Sequence, residues 1–99
     1  MSNVNQPKTR KLARANLVGT DLAEADLHQA DLRHAILRNA NLAGSDLTDA
    51  DLTGADLRDA SLQDATVAHA NLEGADLRGA KLDGVNLRGA RLEGCRTDE

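Results

Sequence analysis

The chain has 99 residues, 12 Lys and Arg against 16 Asp and Glu, a formal net charge of −4 and no aromatic residue at all. That length holds one domain, and no apolar run approaches the ~20 residues needed to cross a bilayer. The N-terminus lacks the apolar segment of a secretory signal, so the expected location is cytoplasmic, with no membrane partner.

Residues 1–11, MSNVNQPKTRK, hold the only proline and carry no leucine period. With Lys8, Arg10, Lys11 and the following Arg14 they make a basic arm, expected to be flexible. Four charges without interleaved aromatics are a weak nucleic-acid footprint, and no direct DNA binding is expected.

From Leu12 to Leu92 every fifth residue is leucine, with Val67 as the one substitute. A five-residue step on an α-helix overshoots a full turn by about 140°, so these leucines would spiral and form no stripe. Plain strand alternation has period two and cannot hold a period of five without interruption. A short extended piece followed by a corner fits. Two residues before each leucine from Leu17 onward stands a small residue, from Ala15 through Thr20, Ser45 and Val85 to Ala90, and Cys95 holds the same place in the last, incomplete unit. Residues two apart on an extended segment share a face, so the small and leucine columns point inward together. The residues between and after them face water.

All eight glycines lie two residues after a leucine, at 19, 44, 54, 74, 79, 84, 89 and 94. Glycine suits the positive φ at the third residue of a type II turn. Units with Arg14, Glu24, Gln29, His34, Asp49, Asp59, Asp64 or His69 at that place are expected to take type I turns, while Asn39 suits either.

Units such as Ala25-Asp26-Leu27, Ala30-Asp31-Leu32, Ala50-Asp51-Leu52 and Ala75-Asp76-Leu77 resemble the A(D/N)LXX motif of the pentapeptide-repeat family. The resemblance implies an all-β fold over residues 12–95: a right-handed quadrilateral parallel β-helix of a little over four coils. Four units then make one coil. The first wall is centred on Leu12, Leu32, Leu52, Leu72 and Leu92, and the second on Leu17, Leu37, Leu57 and Leu77. The third carries Leu22, Leu42, Leu62 and Leu82, and the fourth Leu27, Leu47, Val67 and Leu87.

Sorting the charged residues by wall gives two candidate interaction surfaces. The third and fourth walls are acidic, with Asp21, Glu24, Asp26, Asp46, Asp49, Asp64 and Asp83 against Lys81 and Arg88. The second stacks Arg38, Arg58 and Arg78, with Asp56, Asp59 and Asp76 beside them. No catalytic, cofactor or metal site is expected. His28, His34 and His69 fall at separate places on this lattice, and Cys95 has no recognisable base beside it.

These features suit a noncatalytic scaffold that binds a protein partner through an outer wall. Some pentapeptide-repeat proteins resemble duplex DNA and bind type II topoisomerases, giving quinolone or toxin resistance. The resemblance therefore also admits DNA gyrase or topoisomerase IV as partner. A rod of about 20 Å at the usual strand spacing is short for that role, and arginine dilutes the acidic walls. An engineered repeat scaffold is a third reading, against which irregular outward residues such as Ile36, Gln63 and His69 speak. Residues 96–99 form a charged tail. Neither end carries a substantial cap, so end-to-end self-association is expected.

Overall fold

The computed structural model describes residues 10–97. The parts of the basic arm and charged tail at 1–9 and 98–99 lie outside the described residues. Fourteen parallel bridges join residues twenty apart, the first Lys11 to Asp31 and the last Asp76 to Arg96. Bridged positions recur every five residues along the chain, so four units close one circuit and the chain climbs one strand spacing per circuit. The bridged lattice runs from Lys11 to Arg96. Each bridge stands alone, and no longer strand forms among the described residues.

The five-residue period follows from where each backbone N–H finds its acceptor. In the unit 50–54 the leucine and the glycine donate to the coil above, Leu52 to the Asn71 carbonyl at 2.7 Å and Gly54 to that of Glu73 at 2.9 Å. The outward residue donates to the coil below, Asp51 to Ala30 at 2.9 Å. The next small residue closes the turn, Ala55 N–H to the Leu52 carbonyl at 2.9 Å. That leaves the residue after the leucine. Its N–H is taken by the side chain of the outward Asp or Asn: Thr53 donates to Asp51 Oδ1 at 3.1 Å, and Ala43 to Asn41 Oδ1 at 3.0 Å. All five donors of such a unit are thereby satisfied, with no regular helix or long strand among the described residues.

The turns correct one expectation. The eight glycines have φ between 67° and 76°, as foreseen, but all nine other turn residues are also positive, at 59° to 63°. Arg14, Glu24, Gln29, His34, Asp49, Asp59, Asp64 and His69 thus adopt the type II shape rather than type I, and Asn39 does the same. The cause is the stack. Each turn residue donates its N–H upward, Arg14 to Arg33 at 2.8 Å and Asp64 to Asp83 at 2.9 Å, so every corner must share one backbone shape. Holding an L-residue there costs on the order of 1–2 kcal/mol, which the inter-coil bond and the continued ladder offset.

Leucines and small residues form the core as the two columns require. Leu32, Leu37, Leu42, Leu47, Leu52 and Leu57 are fully buried, with Ala30, Ala35, Ala50, Ala55, Ala60 and Ala65 beside them. Leu12, Leu17, Leu22 and Leu82 are only partly covered, while Leu87 and Leu92 are exposed at the C-terminal end. Among the described residues Ser45 is the one buried polar residue, and its Oγ has no hydrogen-bond partner there.

Candidate interaction surface

With the interior filled by leucine and alanine, any recognition falls to the outward and corner residues. The two candidate strips differ in how their charges are used. On the second wall the arginines interleave with aspartates from successive coils. Arg58 grips Asp56 with two bonds of 2.9 and 2.8 Å, and Arg78 grips Asp76 at 2.9 and 2.6 Å. Arg38, whose own unit has Ile36 in place of the acid, reaches up to Asp56 at 3.2 Å. Arg58 also stands 3.7 Å from Asp76. The result is a zigzag of guanidinium and carboxylate in which every arginine of the strip has a counter-charge. Arg58 and Arg78 hold the Asp56 and Asp76 carboxyls below the usual range. The Arg33 side chain does the same on the first wall, pulling Asp31 down to about 2.

The acidic walls are organised otherwise. Glu24, Asp64 and Asp83 lie along the corner between the third and fourth walls, with Asp21 on one side and Asp26 and Asp46 on the other. Asp49 sits at the far edge of the fourth wall. Of these seven, only Asp26 makes an ion pair among the described residues, with His28 Nδ1 at 2.8 Å. The hydrogen bond that the His28 ring donates to the Asp26 carboxylate raises the His28 pKa. The other six carboxylates have no cationic partner there.

They are not equivalent, however. Asp21, Asp26 and Asp46 each accept the N–H two residues on, from Ala23, His28 and Thr48, at 3.1, 3.3 and 3.0 Å. Asn16 and Asn86 make the same bond without a charge. At those three positions the oxygen serves the fold and only the charge is free for another use. The motif itself held the clue, since Asp and Asn alternate at one position of an otherwise strict repeat. Glu24 and Asp64 make no such bond. Their side chains lean over the next coil, where a Cβ at Gly44 or Gly84 would strike the carboxylate.

The histidines do not meet one another, yet His28 meets two acids. Ligand atoms of Asp26, His28 and Asp46 lie within 4.8 Å of one another. All three residues are exposed, three ligand atoms fall short of the closed four-ligand shell of a structural zinc site, and only Asp26 stands within ion-pair distance of His28. Cys95 is half-buried, with its thiol 3.1 Å from the Leu72 carbonyl, and burial pushes its pKa up. No membrane-length apolar helix occurs among the described residues.

Comparison with known proteins bears on this geometry. The pentapeptide-repeats family model, in 8 copies, matches residues 11–39, 25–64 and 60–96. Alr5209, a pentapeptide repeat protein from Nostoc Pcc 7120, is similar at 36% identity over 89% of this chain and 84% of its own, with a TM-score of 0.76. Rfr23 from the cyanobacterium Cyanothece 51142 is 36% identical over 97% of this chain and 69% of its own, at a TM-score of 0.52. QnrB1, a plasmid-mediated fluoroquinolone resistance protein, shares the fold at 21% identity and a TM-score of 0.60, over 87% of this chain and 52% of its own. No curated protein sequence matches. Proteins of this kind form right-handed quadrilateral β-helices, in keeping with the twenty-residue bridging found here. A family match that runs from the first bridge of the stack to the last, on a backbone shared with Alr5209, places the chain in the pentapeptide-repeat family.

Proposed function

We propose that the protein is a noncatalytic scaffold of a little over four coils. It binds a protein partner along the acidic corner between its third and fourth walls. One observation carries this reading: six of the seven carboxylates on the third and fourth walls lack a cationic partner among the described residues, whereas every arginine of the second-wall strip is paired. Unpaired like charges held on a rigid frame repel one another and are relieved by a basic surface. The same field raises the rate of encounter with such a surface. The partner that fits is therefore a protein presenting a Lys/Arg patch about as long as the tube.

The test uses the side-chain economy of the fold. Changing Asp21, Asp26 and Asp46 to Asn keeps each amide oxygen where the backbone needs it; adding Asp64→Asn, where the side chain caps no N–H, brings the charges removed to four. Pull-downs from the native cell should recover a partner with the wild type and with an Arg38→Gln/Arg58→Gln/Arg78→Gln variant, and lose it with the carboxamide variant. Equal recovery by the carboxamide variant would sink the acidic-corner reading.

A second reading takes the same free carboxylates as a short imitation of a phosphate backbone, with DNA gyrase or topoisomerase IV as the partner. The likeness to QnrB1 supports only the fold that such a role needs. A supercoiling assay separates the two readings. Inhibition or protection of gyrase at stoichiometric protein favours the second, and indifference at large excess removes it.

A further inference from the structure

We propose that the two ends of the tube fit each other, so that copies of the chain stack head to tail in one register. At the C-terminal end the N–H groups of Leu82, Leu87 and Leu92 have no acceptor among the described residues. Beside them the core opens into a hollow of about 300 Å³ lined by Leu77, Leu82, Val85, Leu87 and Leu92. Leu87 is 38% and Leu92 42% exposed. At the N-terminal end the carbonyls of Lys11, Asn16 and Asp21 receive no N–H from the described residues, and Leu12, Leu17 and Leu22 are only partly covered. In every interior coil these groups pair in one way: leucine N–H below, the carbonyl of the outward residue above. One end therefore offers what the other lacks.

The register follows from the climb of the chain. Because each circuit rises one strand spacing, about 4.8 Å, each end is a ledge with a single step. The two steps mate only when Lys11 of a second copy takes the place that follows Arg96, above Lys81. The bridged columns then continue across the junction as Lys81 under Lys11, Asn86 under Asn16, Arg91 under Asp21 and Arg96 under Asp26. Two of the four columns join opposite charges and one joins two amides. Lys81 and Lys11 repel, and Asp83, two residues along, is the counter-charge that unit carries. Two C-terminal ends set face to face would instead crowd Lys81, Arg91 and Arg96 together, which selects the head-to-tail pairing. Such a heterologous contact does not close, so it builds rods rather than dimers.

The inference stands apart from the acidic-corner reading, although Asp21 and Asp26 serve in both. Equilibrium sedimentation of the full chain should give a mass that climbs with concentration past twice the 10.5 kDa of one copy. Arg91→Glu with Arg96→Glu, and separately Asp21→Lys with Asp26→Lys, should each weaken association at least about tenfold. All four changes in one chain should restore it, because both pairs re-form with their signs exchanged. Lysine at 21 and 26 also removes the acceptors of the Ala23 and His28 N–H groups. A chain that fails to fold on reversal is therefore replaced by Asp21→Asn with Asp26→Asn or by Arg91→Gln with Arg96→Gln, each expected to show an intermediate loss. A mass fixed at one copy, growth that stops at two, or a fourfold reversal no better than either pair would overturn the proposal.

Discussion

Ser45 shows how little tolerance the interior has. Its position in the repeat is held by alanine at 25 and 65 and by valine at 85, and it is buried to 1% with an unsatisfied hydroxyl. Thr20, at the corresponding place on the neighbouring wall, avoids the same cost by donating its hydroxyl to the Leu17 carbonyl at 2.8 Å. A buried hydroxyl without a partner costs about 1–3 kcal/mol. Ser45→Ala should therefore raise the unfolding free energy by about 1 kcal/mol, read from urea denaturation, with the twenty-residue register unchanged. A loss of stability would mean that the Oγ has a partner in solution. The sequence showed that position 45 faces inward. It could not show whether the hydroxyl is satisfied there, because that depends on a rotamer and on carbonyls one coil away.

The five-residue unit was largely readable from the chain, since small residue, leucine and glycine each mark a geometric requirement. Two things were not. The D/N position read as solvent-facing decoration, whereas its oxygen completes the backbone hydrogen bonding of the unit. The glycines read as the places with positive φ, with Asn39 open to either turn, whereas all seventeen turn residues have it. Some glycines answer a different need, which lies twenty residues away and so escapes any local reading. A Cβ at Gly54 would strike the His34 imidazole leaning up from the coil below, while one at Gly19 meets nothing within 4 Å. Gly19→Ala should cost only the left-handed backbone, on the order of 1–2 kcal/mol. Gly54→Ala should cost more, and adding His34→Ala should bring it back to the Gly19 value. This coupling between positions in contact is measurable as a double-mutant cycle. Equal costs for the two single changes would show that His34 swings aside freely.

Across the tube as a whole, fold and function separate. Stacking four walls on a twenty-residue register fixes which side chains share a surface, and the acidic and arginine strips were visible from that register alone. Which strip is already neutralised was not, because Arg38 reaching to Asp56 and Arg58 to Asp76 are choices between coils. The response to acid is set instead by the arginine within each unit. Asp31, Asp56 and Asp76 have folded-state pKa values below the ordinary 3.8, each chiefly through the hydrogen bond of its arginine. The folded chain then binds fewer protons than the unfolded one in the interval between the two values. Their contribution is complete above about pH 4 and disappears as the pH falls towards 2. His28, raised from 6.5 by Asp26, works in the opposite direction: its contribution is present below 6.5 and is lost as the pH rises through its folded value. Exposure keeps each effect small. Urea midpoints should thus be highest between about pH 4 and 6.5 and fall most clearly on the acid side. In Asp31→Asn/Asp56→Asn/Asp76→Asn the amide oxygens can still cap the backbone but the ion pairs are gone, so the acid-side fall should flatten while the fold persists. An acid response as steep as that of the wild type would place the linkage in other carboxylates and remove the paired strip from any role in stability.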